Sequence, residues 1–421
     1  MRPNRLTKYS SFCVICGAIC LLSSSSCWSQ AVEKYPYFGL HIHAADRGTA
    51  WPKPAFGAWR LWDADVSWAQ IEPLQGQMNF ERLDRYVAMA AVTHVDVLLP
   101  LGLTPTWASA RPGEKSNYQP GWAAEPAHIE DWRHFVRTVA QRYRGKIRHF
   151  DIWNEINEKG FYSGSIEKMV ELTCEAYRIL HEIAPENRVV SPSFIGGGSE
   201  PDQLEAFLGK GGKNCIDIVG YHFYVPQHEP EEIIYLVRRI NTVMNRQGIG
   251  HLPLWNTESG WWIANGDGTP ETEADRRWRR ILPQEGAAIV ARSLILGRWM
   301  GLERFYWYAW DNQVLGLIEP TTGALKPAGR AYGALVRWMG AAKPACSEQH
   351  GTWICSLPPE NAQNRRIVWA TRTASTLILP PTGEHNIAIE GLDGQPKRAV
   401  AAQTAGVTIG YEPVLIYSRP N

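Results

Sequence analysis

The sequence predicts an α/β protein: a (β/α)8 TIM barrel followed by a small C-terminal β-sandwich. Three observations lead there. Between residues 37 and 340, eight short apolar runs alternate with segments whose apolar residues recur at helical spacing. After Lys343 the helical spacing stops, and short β-type runs separated by Gly, Pro, Asn and Asp clusters take over. No G-x-G-x-x-G follows the first run, which disfavours a doubly wound open sheet.

The eight expected strands are residues 38–42, 58–62, 95–101, 147–153, 189–192, 216–223, 252–256 and 304–310. Between them, Leu83, Val87 and Ala90 share one helical face. Ile129, Trp132, Val136, Val139 and Tyr143 share another, which stops at Gly145. Ser165 is placed to cap a third helix, built on Met169, Leu172, Ala176 and Leu180. Ile233, Val237, Ile240 and Met244 form a fourth, ending near Gly248. Two more cover 287–300 and 331–339, each followed by glycine. The C-terminal runs are 352–355, 366–370, 375–379, 386–389, 407–409 and 413–417. The expected division is therefore 1–31 as a signal peptide, 32–342 as the barrel and 343–421 as the β-sandwich.

Export is read from the first residues. Arg2, Arg5 and Lys8 precede an apolar run over 12–22, and small residues follow near Ser29 and Ala31. That run is too short to span a bilayer and no later stretch approaches twenty apolar residues, so no integral membrane segment is expected once it is removed. A periplasmic or secreted location follows, with a lipid anchor on Cys27 as the alternative. Cys13, Cys16, Cys20 and Cys27 are read as small apolar residues of this segment, not as a metal site. Cys346 and Cys355, nine apart across a Gly-containing turn, are expected to form a disulfide. Cys174 and Cys215 are expected as buried thiols, with a disulfide the less favoured reading. The chain has no Asn-x-Ser/Thr acceptor, which leans toward a bacterial exported protein.

Composition excludes some partners. The chain has 421 residues, with 43 Lys+Arg against 42 Asp+Glu, and removing Arg2, Arg5 and Lys8 with no acid moves the net charge from +1 to −2. Such a balance gives no general attraction for nucleic acid or acidic membranes. The 19 Trp outnumber the 16 Tyr and the 11 Phe. An indole face can cover the C–H face of a sugar, so the excess is read as an aromatic cleft.

In a (β/α)8 barrel, reactive groups sit at the C-terminal ends of strands. The fourth run ends in Trp153-Asn154-Glu155 and the seventh in Trp255-Asn256-Thr257-Glu258. Two glutamates facing each other across the barrel mouth suit glycoside hydrolysis. One protonates the departing oxygen; the other attacks the anomeric carbon or activates a water. Arg60, facing inward in Trp59-Arg60-Leu61-Trp62, is the best candidate to keep one of them ionised. Trp310, in inward phase with Tyr308 and Tyr306, is expected as the platform beneath the sugar, with Trp307 facing the helices. Trp62, Trp107, Trp261 and Trp262 fall at mouth-side positions for further subsites. His41 and His222 are read as polar lining, and His43 as structural.

Two rival readings remain in view. One is a non-catalytic glycan-binding barrel. The other is a metal-dependent amidohydrolase built on His41, His43, His222 and Asp311. The latter wants a further histidine ending the fifth run, where the chain reads Val189-Val190-Ser191-Pro192-Ser193, and it leaves both glutamate motifs unexplained. No metal or cofactor is therefore expected.

Glu155 in Ile152-Trp153-Asn154-Glu155 and Glu258 in Asn256-Thr257-Glu258-Ser259-Gly260-Trp261 resemble the motifs of the clan A retaining glycoside hydrolases. Trp68-Ala69-Gln70-Ile71-Glu72-Pro73 leading to Gly76, Phe80-Glu81-Arg82-Leu83-Asp84, and Thr104-Pro105-Thr106-Trp107 look like family 39 within that clan. The resemblance covers about residues 36 to 345 and extends to the branch of bacterial exopolysaccharide endoglycosidases. It implies Glu155 as general acid/base and Glu258 as nucleophile, about 5–5.5 Å apart, with net retention. It also implies that Tyr224, in Tyr221-His222-Phe223-Tyr224, bonds the nucleophile and that Asn154 holds the sugar 2-hydroxyl. Ile156 departs from the clan, which often has proline there, without touching the reactive atoms. The expected function is an exported retaining β-glycoside hydrolase acting on an oligo- or polysaccharide. Sugar, linkage, internal or terminal attack and oligomeric state carry no expectation. The loop over 260–284, with Arg276, Arg277, Arg279 and Arg280, is a candidate lid or wall and a possible acceptor of an acidic glycan.

Overall fold

A computed structural model describes residues 35–196, 198–271, 278–360, 363–371, 375–378, 386–401 and 406–418. The expected signal segment with Cys13, Cys16, Cys20 and Cys27, and the loop residues Arg276 and Arg277, lie outside the described residues. Eight parallel strands form one sheet: β1 (Phe38–His41), β2 (Ala58–Arg60), β3 (Asp96–Leu101), β4 (His149–Ile152), β5 (Arg188–Val190), β6 (Val219–His222), β7 (Leu254–Ser259) and β8 (Arg304–Trp307). Pairing runs from β5 through β1 and β8 to β6, and the bridges Val190–Ile218 and Ile195–His222 close the ring. The barrel is the expected one.

Most strand residues are buried on both faces, as parallel strands covered by helices require. Ala58, Leu98, Val190, Ile218, Trp255 and Tyr306 form a cluster of their own inside the barrel. Gly39 makes room for it, because a Cβ there would lie 2.6 Å from the Tyr306 ring. The helices are α1 (Trp68–Ile71), α2 (Glu81–Thr93), α3 (Ile129–Arg142), α4 (Ile166–Ile183), α5 (Glu200–Gly209), α6 (Glu232–Arg246), α7 (Pro283–Trp299) and α8 (Pro327–Met339). Ser165 caps α4, its side chain accepting from the Lys168 amide at 3.1 Å. α5 has no counterpart in the sequence reading. It spans ten residues with Leu204, Phe207 and Leu208 buried, too short for helical spacing to stand out.

The C-terminal region is antiparallel. A six-stranded sheet runs β14 (Pro396–Ala401), β13 (Asn386–Glu390), β16 (Val414–Ser418), β11 (Gln363–Ala370), β10 (Thr352–Glu360) and β9 (Ala345–Gln349). β12 (Ser375–Ile378) and β15 (Gly406–Ile409) pair separately. Val368, Ile389, Val407 and Ile416 pack together between the two sheets. β9 went unread because four of its five residues are exposed, so it carries no apolar run. The β-domain packs on the barrel helices. Trp353 stacks on Trp369 at 5.4 Å, the Trp369 indole donates to Glu231 at 3.2 Å, and Tyr411 donates to Glu229 at 2.6 Å. Arg292 of α7, its side chain fully buried, pairs with Glu229 and Glu231 beneath the Tyr411 ring.

Both cysteine pairs are joined. Cys346 and Cys355 are register partners on β9 and β10 and form the expected disulfide. Cys174 and Cys215 also form one, which corrects the expectation of free thiols. They are 41 residues apart, and only the packing of α4 beside the turn Gly212–Asn214 brings their Cα atoms to 4.9 Å. No helix among the described residues is long and apolar enough to cross a membrane.

Candidate active site

The two glutamates meet over the mouth of the barrel. β4 ends at Ile152, and the chain then turns through left-handed backbone at Trp153 (φ 65°) and Glu155 (φ 44°). Side chains other than glycine enter that region rarely and at a cost, so surrounding contacts must hold the turn. Trp153 supplies them: it is fully buried, donates to the Phe161 carbonyl at 2.8 Å and packs on Tyr162. Glu258 sits near the end of β7, where the register with β8 shifts between Asn256 and Ser259. Such irregularities re-aim a side chain at a sheet's end. An oxygen of Glu155, an oxygen of Glu258 and a ring nitrogen of His222 lie within 4.8 Å of one another.

Arg60 organises the floor. Its Nη1 donates to Glu258 Oε2 at 2.8 Å, its Nε to Asp151 Oδ2 at 2.8 Å and its Nη2 to Asn154 Oδ1 at 2.8 Å. Nη1 also lies 3.2 Å from His41 Nε2, and the His41 Nδ1 meets the Trp307 carbonyl at 3.2 Å. Tyr224 donates to the other oxygen of Glu258 at 2.9 Å. His222 Nδ1 lies 2.7 Å from Glu155 Oε1 and 3.9 Å from Glu258 Oε1. Thus Arg60, Asn154, His41, His222 and Tyr224 all gather around the two glutamates. His41 and His222 are completely buried, so they act on the carboxylates rather than on an open surface.

The charges do not balance, and that sets the proton count. Glu155, Glu258 and Asp151 share one guanidinium, so the low-dielectric pocket favours keeping a proton on a carboxyl. Burial pushes Glu155 up to about 8, against the pull of Arg60. Burial raises Glu258 less, to about 7, with the Glu155 charge adding and Arg60 opposing. Asp151, also raised by burial, stays at about 6 because Arg60 binds it. Burial and the proximity of the two carboxylates thus favour keeping one proton on the Glu155–Glu258 pair. Burial holds His222 down to about 3, so its ring is neutral. A neutral ring serves either state of Glu155: Nδ1 accepts from its O–H or donates to its carboxylate. The Asn154 Nδ2 and the His222 Nε2 are buried with no partner.

Glu155, His222 and Glu258 have the composition of a metal-binding trio, but their ligand atoms are already engaged. His222 holds Glu155, and Arg60 and Tyr224 hold the two oxygens of Glu258. A divalent ion would have to break those bonds and sit beside a guanidinium. The amidohydrolase residues do not converge either. Asp311 accepts from the amides of His43 and Ala44 and from Thr49, and His43 lies against the Tyr308 ring.

A cavity of about 650 Å³ opens beside Glu155, with Phe161, Tyr224 and Trp278 in its wall. Trp310 is not in that wall, which corrects its assignment as the sugar platform. It is 3% exposed and its indole donates to the Ala50 carbonyl. Strand pairing stops at Trp307, so alternation does not carry through to 310. Tyr308 is the aromatic that approaches the acidic pair, 5.1 Å from the His41 ring. The expected subsite tryptophans are also engaged elsewhere. Trp261 stacks on Trp307, the Trp107 indole donates to the Glu72 carbonyl, the Trp262 indole to Glu271, and Trp62 is 4% exposed. Most of the tryptophan excess is core: Trp59, Trp68, Trp132, Trp153, Trp255, Trp261, Trp307, Trp338 and Trp369 are under 2% exposed. Arg279 pairs with Glu229 and Glu285, and Arg280 with Glu271, so neither stands free for an acidic glycan.

Three contributors escaped the sequence reading. Asp151 was legible as a carboxylate inside an apolar run, four residues before Glu155. Tyr308 was read as inward-facing but given no role, and Asp63 gave no sign, because their contacts depend on loops that meet only in the fold.

Comparison with known proteins agrees with the fold. Residues 62–174 match the family model described as glycosyl hydrolase family 10. A stretch of 113 residues is 30% identical to an endo-1,4-beta-xylanase A of Fusarium oxysporum f. sp. lycopersici, covering 27% of this chain and 32% of that protein. The match therefore spans about a third of that relative's length. Among solved structures, a family 39 glycoside hydrolase from the gut symbiont Bacteroides cellulosilyticus WH2 superposes with a TM-score of 0.71 at 16% identity, covering 93% of this chain and 82% of that one. A monomeric beta-xylosidase from Caulobacter crescentus CB15 gives 0.64 at 15% identity over 92% and 97% of the two chains. A family 30 endoxylanase from Clostridium papyrosolvens C71 gives 0.61 at 11% identity over 93% and 98%. At those identities the likeness is one of fold. The chain has the fold of family 39 and family 30 glycoside hydrolases, and the clan A resemblance carried by its two glutamate motifs stands.

Proposed function

We propose that the chain is an exported retaining β-glycoside hydrolase that cleaves an oligo- or polysaccharide. The observation that carries this reading is the pairing of Glu155 and Glu258, with carboxyl oxygens within 4.8 Å. Retaining enzymes keep their two carboxyl groups about 5–5.5 Å apart, whereas inverting ones leave about 6.5–9.5 Å for a water. Glu258, held by Arg60 and Tyr224, attacks the anomeric carbon and forms a glycosyl–enzyme ester. Glu155 gives its proton to the departing glycosidic oxygen in the same step. It then takes a proton from the water that attacks the ester, and Glu258 leaves as carboxylate. Asn154, with a spare amide N–H, is suited to hold a hydroxyl of the reacting sugar as charge develops. Two disulfides support an oxidising, extracytoplasmic location.

The test is a panel of aryl β-glycosides and polysaccharides, starting with β-xylosides because several relatives are xylanases or xylosidases. The first product is expected as the β-anomer by proton NMR. Glu155→Ala and Glu258→Ala are expected to lower turnover by orders of magnitude, with azide rescuing the latter as a glycosyl azide of inverted configuration. Near-wild-type rates in either variant would sink the assignment. A rise in Tm with sugar but no new reducing ends would favour a binding protein instead.

A further inference from the structure

We propose that Tyr411 of the C-terminal β-domain is a positioning residue for the catalytic face: through Glu229 and Arg279 it holds the loop that aims Tyr224 at Glu258. The inference rests on the glycosidase reading above and gives the β-domain a part in it. Tyr411 lies in the turn between β15 and β16, fixed where the Ala370 amide donates to the Gly410 carbonyl at 2.7 Å. From there its hydroxyl donates to Glu229 Oε2 at 2.6 Å, in the barrel loop between β6 and α6. Its ring covers Arg292 of α7, whose guanidinium carbon is 4.4 Å from the ring centroid. Arg292 Nη1 meets the same Glu229 oxygen at 3.1 Å, and its Nε donates to Glu231 at 3.0 Å. The Arg292 side chain has no exposure, and a guanidinium so buried needs its carboxylates beside it. The stretch from Glu229 to Glu231 is thus tied to α7 and to the β-domain at once.

The fixed carboxylate reaches the site along one strip of chain. Glu229 Oε1 accepts from Arg279 Nη1 at 2.9 Å, and the Arg279 amide donates to the Pro226 carbonyl at 3.1 Å. Next to Arg279, Trp278 meets the Tyr224 ring edge-on, with centroids 5.2 Å apart. Residues 278–279 therefore lie along residues 224–229 and touch them at both ends and in the middle. Arg279 is itself steadied by Glu285 at 2.6 Å, in the first turn of α7. At the inner end of the strip the Tyr224 hydroxyl donates to Glu258 Oε1 at 2.9 Å. The neighbouring Phe223 is held on the sheet side, its amide donating to Asn256 and its carbonyl accepting from Ser259 of β7. Losing Tyr411 leaves that side intact, so Tyr224 is loosened and not displaced. Glu390 joins the two domains elsewhere, accepting from the Trp338 indole at 2.9 Å near the C-terminal end of α8.

The experiment compares full-length wild type with Tyr411→Phe, which keeps the ring over Arg292 and removes only the hydroxyl, and with Tyr411→Ala, Tyr224→Phe and Glu390→Ala. Amide hydrogen exchange read by mass spectrometry follows the loops without needing activity. Peptides covering 224–232 and 278–282 are expected to exchange about tenfold faster in Tyr411→Phe and to stay as in wild type in Glu390→Ala. On an aryl β-glycoside that wild type cuts, kcat/KM should fall about five- to tenfold in Tyr411→Phe and about 10²-fold in Tyr411→Ala, as misplacement of a group at the reacting centre does. Added to Tyr224→Phe, Tyr411→Phe should cost less than about twofold more, because its route through Tyr224 is already cut. Glu390→Ala should lower Tm and keep kcat/KM, which separates positioning from loss of stability. Unchanged exchange in both Tyr411 variants overturns the inference. Faster exchange with unchanged kcat/KM, or losses that multiply fully in the double variant, overturns the route to Glu258. An equal fall in Glu390→Ala would make the loss one of domain stability and overturn it too. If wild type cuts no glycoside, the glycosidase reading falls on its own, and the exchange comparison still decides whether Tyr411 holds the loop.

Discussion

Arg60 donates to Glu258 at 2.8 Å from a side chain with no exposure at all, while its remaining nitrogens hold Asp151 and Asn154. One guanidinium thus ties β2 to β4 and β7 and orients both the nucleophile and the neighbouring amide. Lysine keeps the charge but has a single point donor, which cannot reach three partners at fixed angles. Arg60→Lys is expected to lower kcat/KM by about 10²–10³, the usual loss when a preorganised donor is removed. Arg60→Ala leaves Asp151 and Glu258 without their cation, and should also destabilise the fold by about 3–5 kcal/mol. Steady-state kinetics and a urea melt check the two effects separately. A lysine variant with wild-type kcat/KM would show that Arg60 serves packing alone.

Glu155 makes stability depend on pH in a definite direction. Its folded carboxyl is held up at about 8 by burial, against an ordinary value of 4.5. A raised carboxyl favours the folded state while protonated, so the contribution is complete below about pH 4.5 and is lost as pH rises through about 8. Glu258, raised to about 7, acts in the same direction over a narrower window. Gln at 155 never ionises, so Glu155→Gln should melt higher than wild type at pH 8–9, by on the order of a few kcal/mol. The two proteins should converge at pH 4.5. Scanning calorimetry across that range gives the comparison, and a gap in Tm that does not change with pH would refute it. The same substitution should remove the alkaline limb of the pH–rate profile.

What could be read in advance depended on how local the signal was. The barrel was legible because eight buried parallel strands leave apolar runs at regular intervals. Glu155 and Glu258 were legible because each follows such a run directly. Arg60 stood out as a charge between Trp59 and Leu61, and the same reasoning applied to Asp151 would have found its partner. Trp310 misled because alternation was carried past Trp307, where β8 ends. Trp261 misled because a position just past a strand can fold under a loop as well as face a cleft. Asp63 gives no local sign at all. Its partners are Tyr118 and Tyr308, which are 55 and 245 residues away in sequence.

The bond between Cys174 and Cys215 was obscured for the same reason, and it yields the last prediction. It fastens α4, the helix following the Glu155 loop, to the turn just before β6, the strand that carries His222. Glu155 and His222 are in direct contact, so the bond braces the two elements that bring them together. A cross-link closing 41 residues restricts the unfolded chain enough to stabilise the fold by about 4 kcal/mol in the loop-entropy account. The Cys174→Ser/Cys215→Ser double variant is therefore expected to unfold at markedly lower urea, with a somewhat larger m-value because its unfolded chain expands further. Cys346 and Cys355 close only nine residues within one hairpin, so the corresponding double variant should lose clearly less. Equal losses from the two pairs would mean that native-state strain, not loop length, governs both. Because reduction removes both constraints, wild type treated with dithiothreitol should melt near the combined four-serine variant.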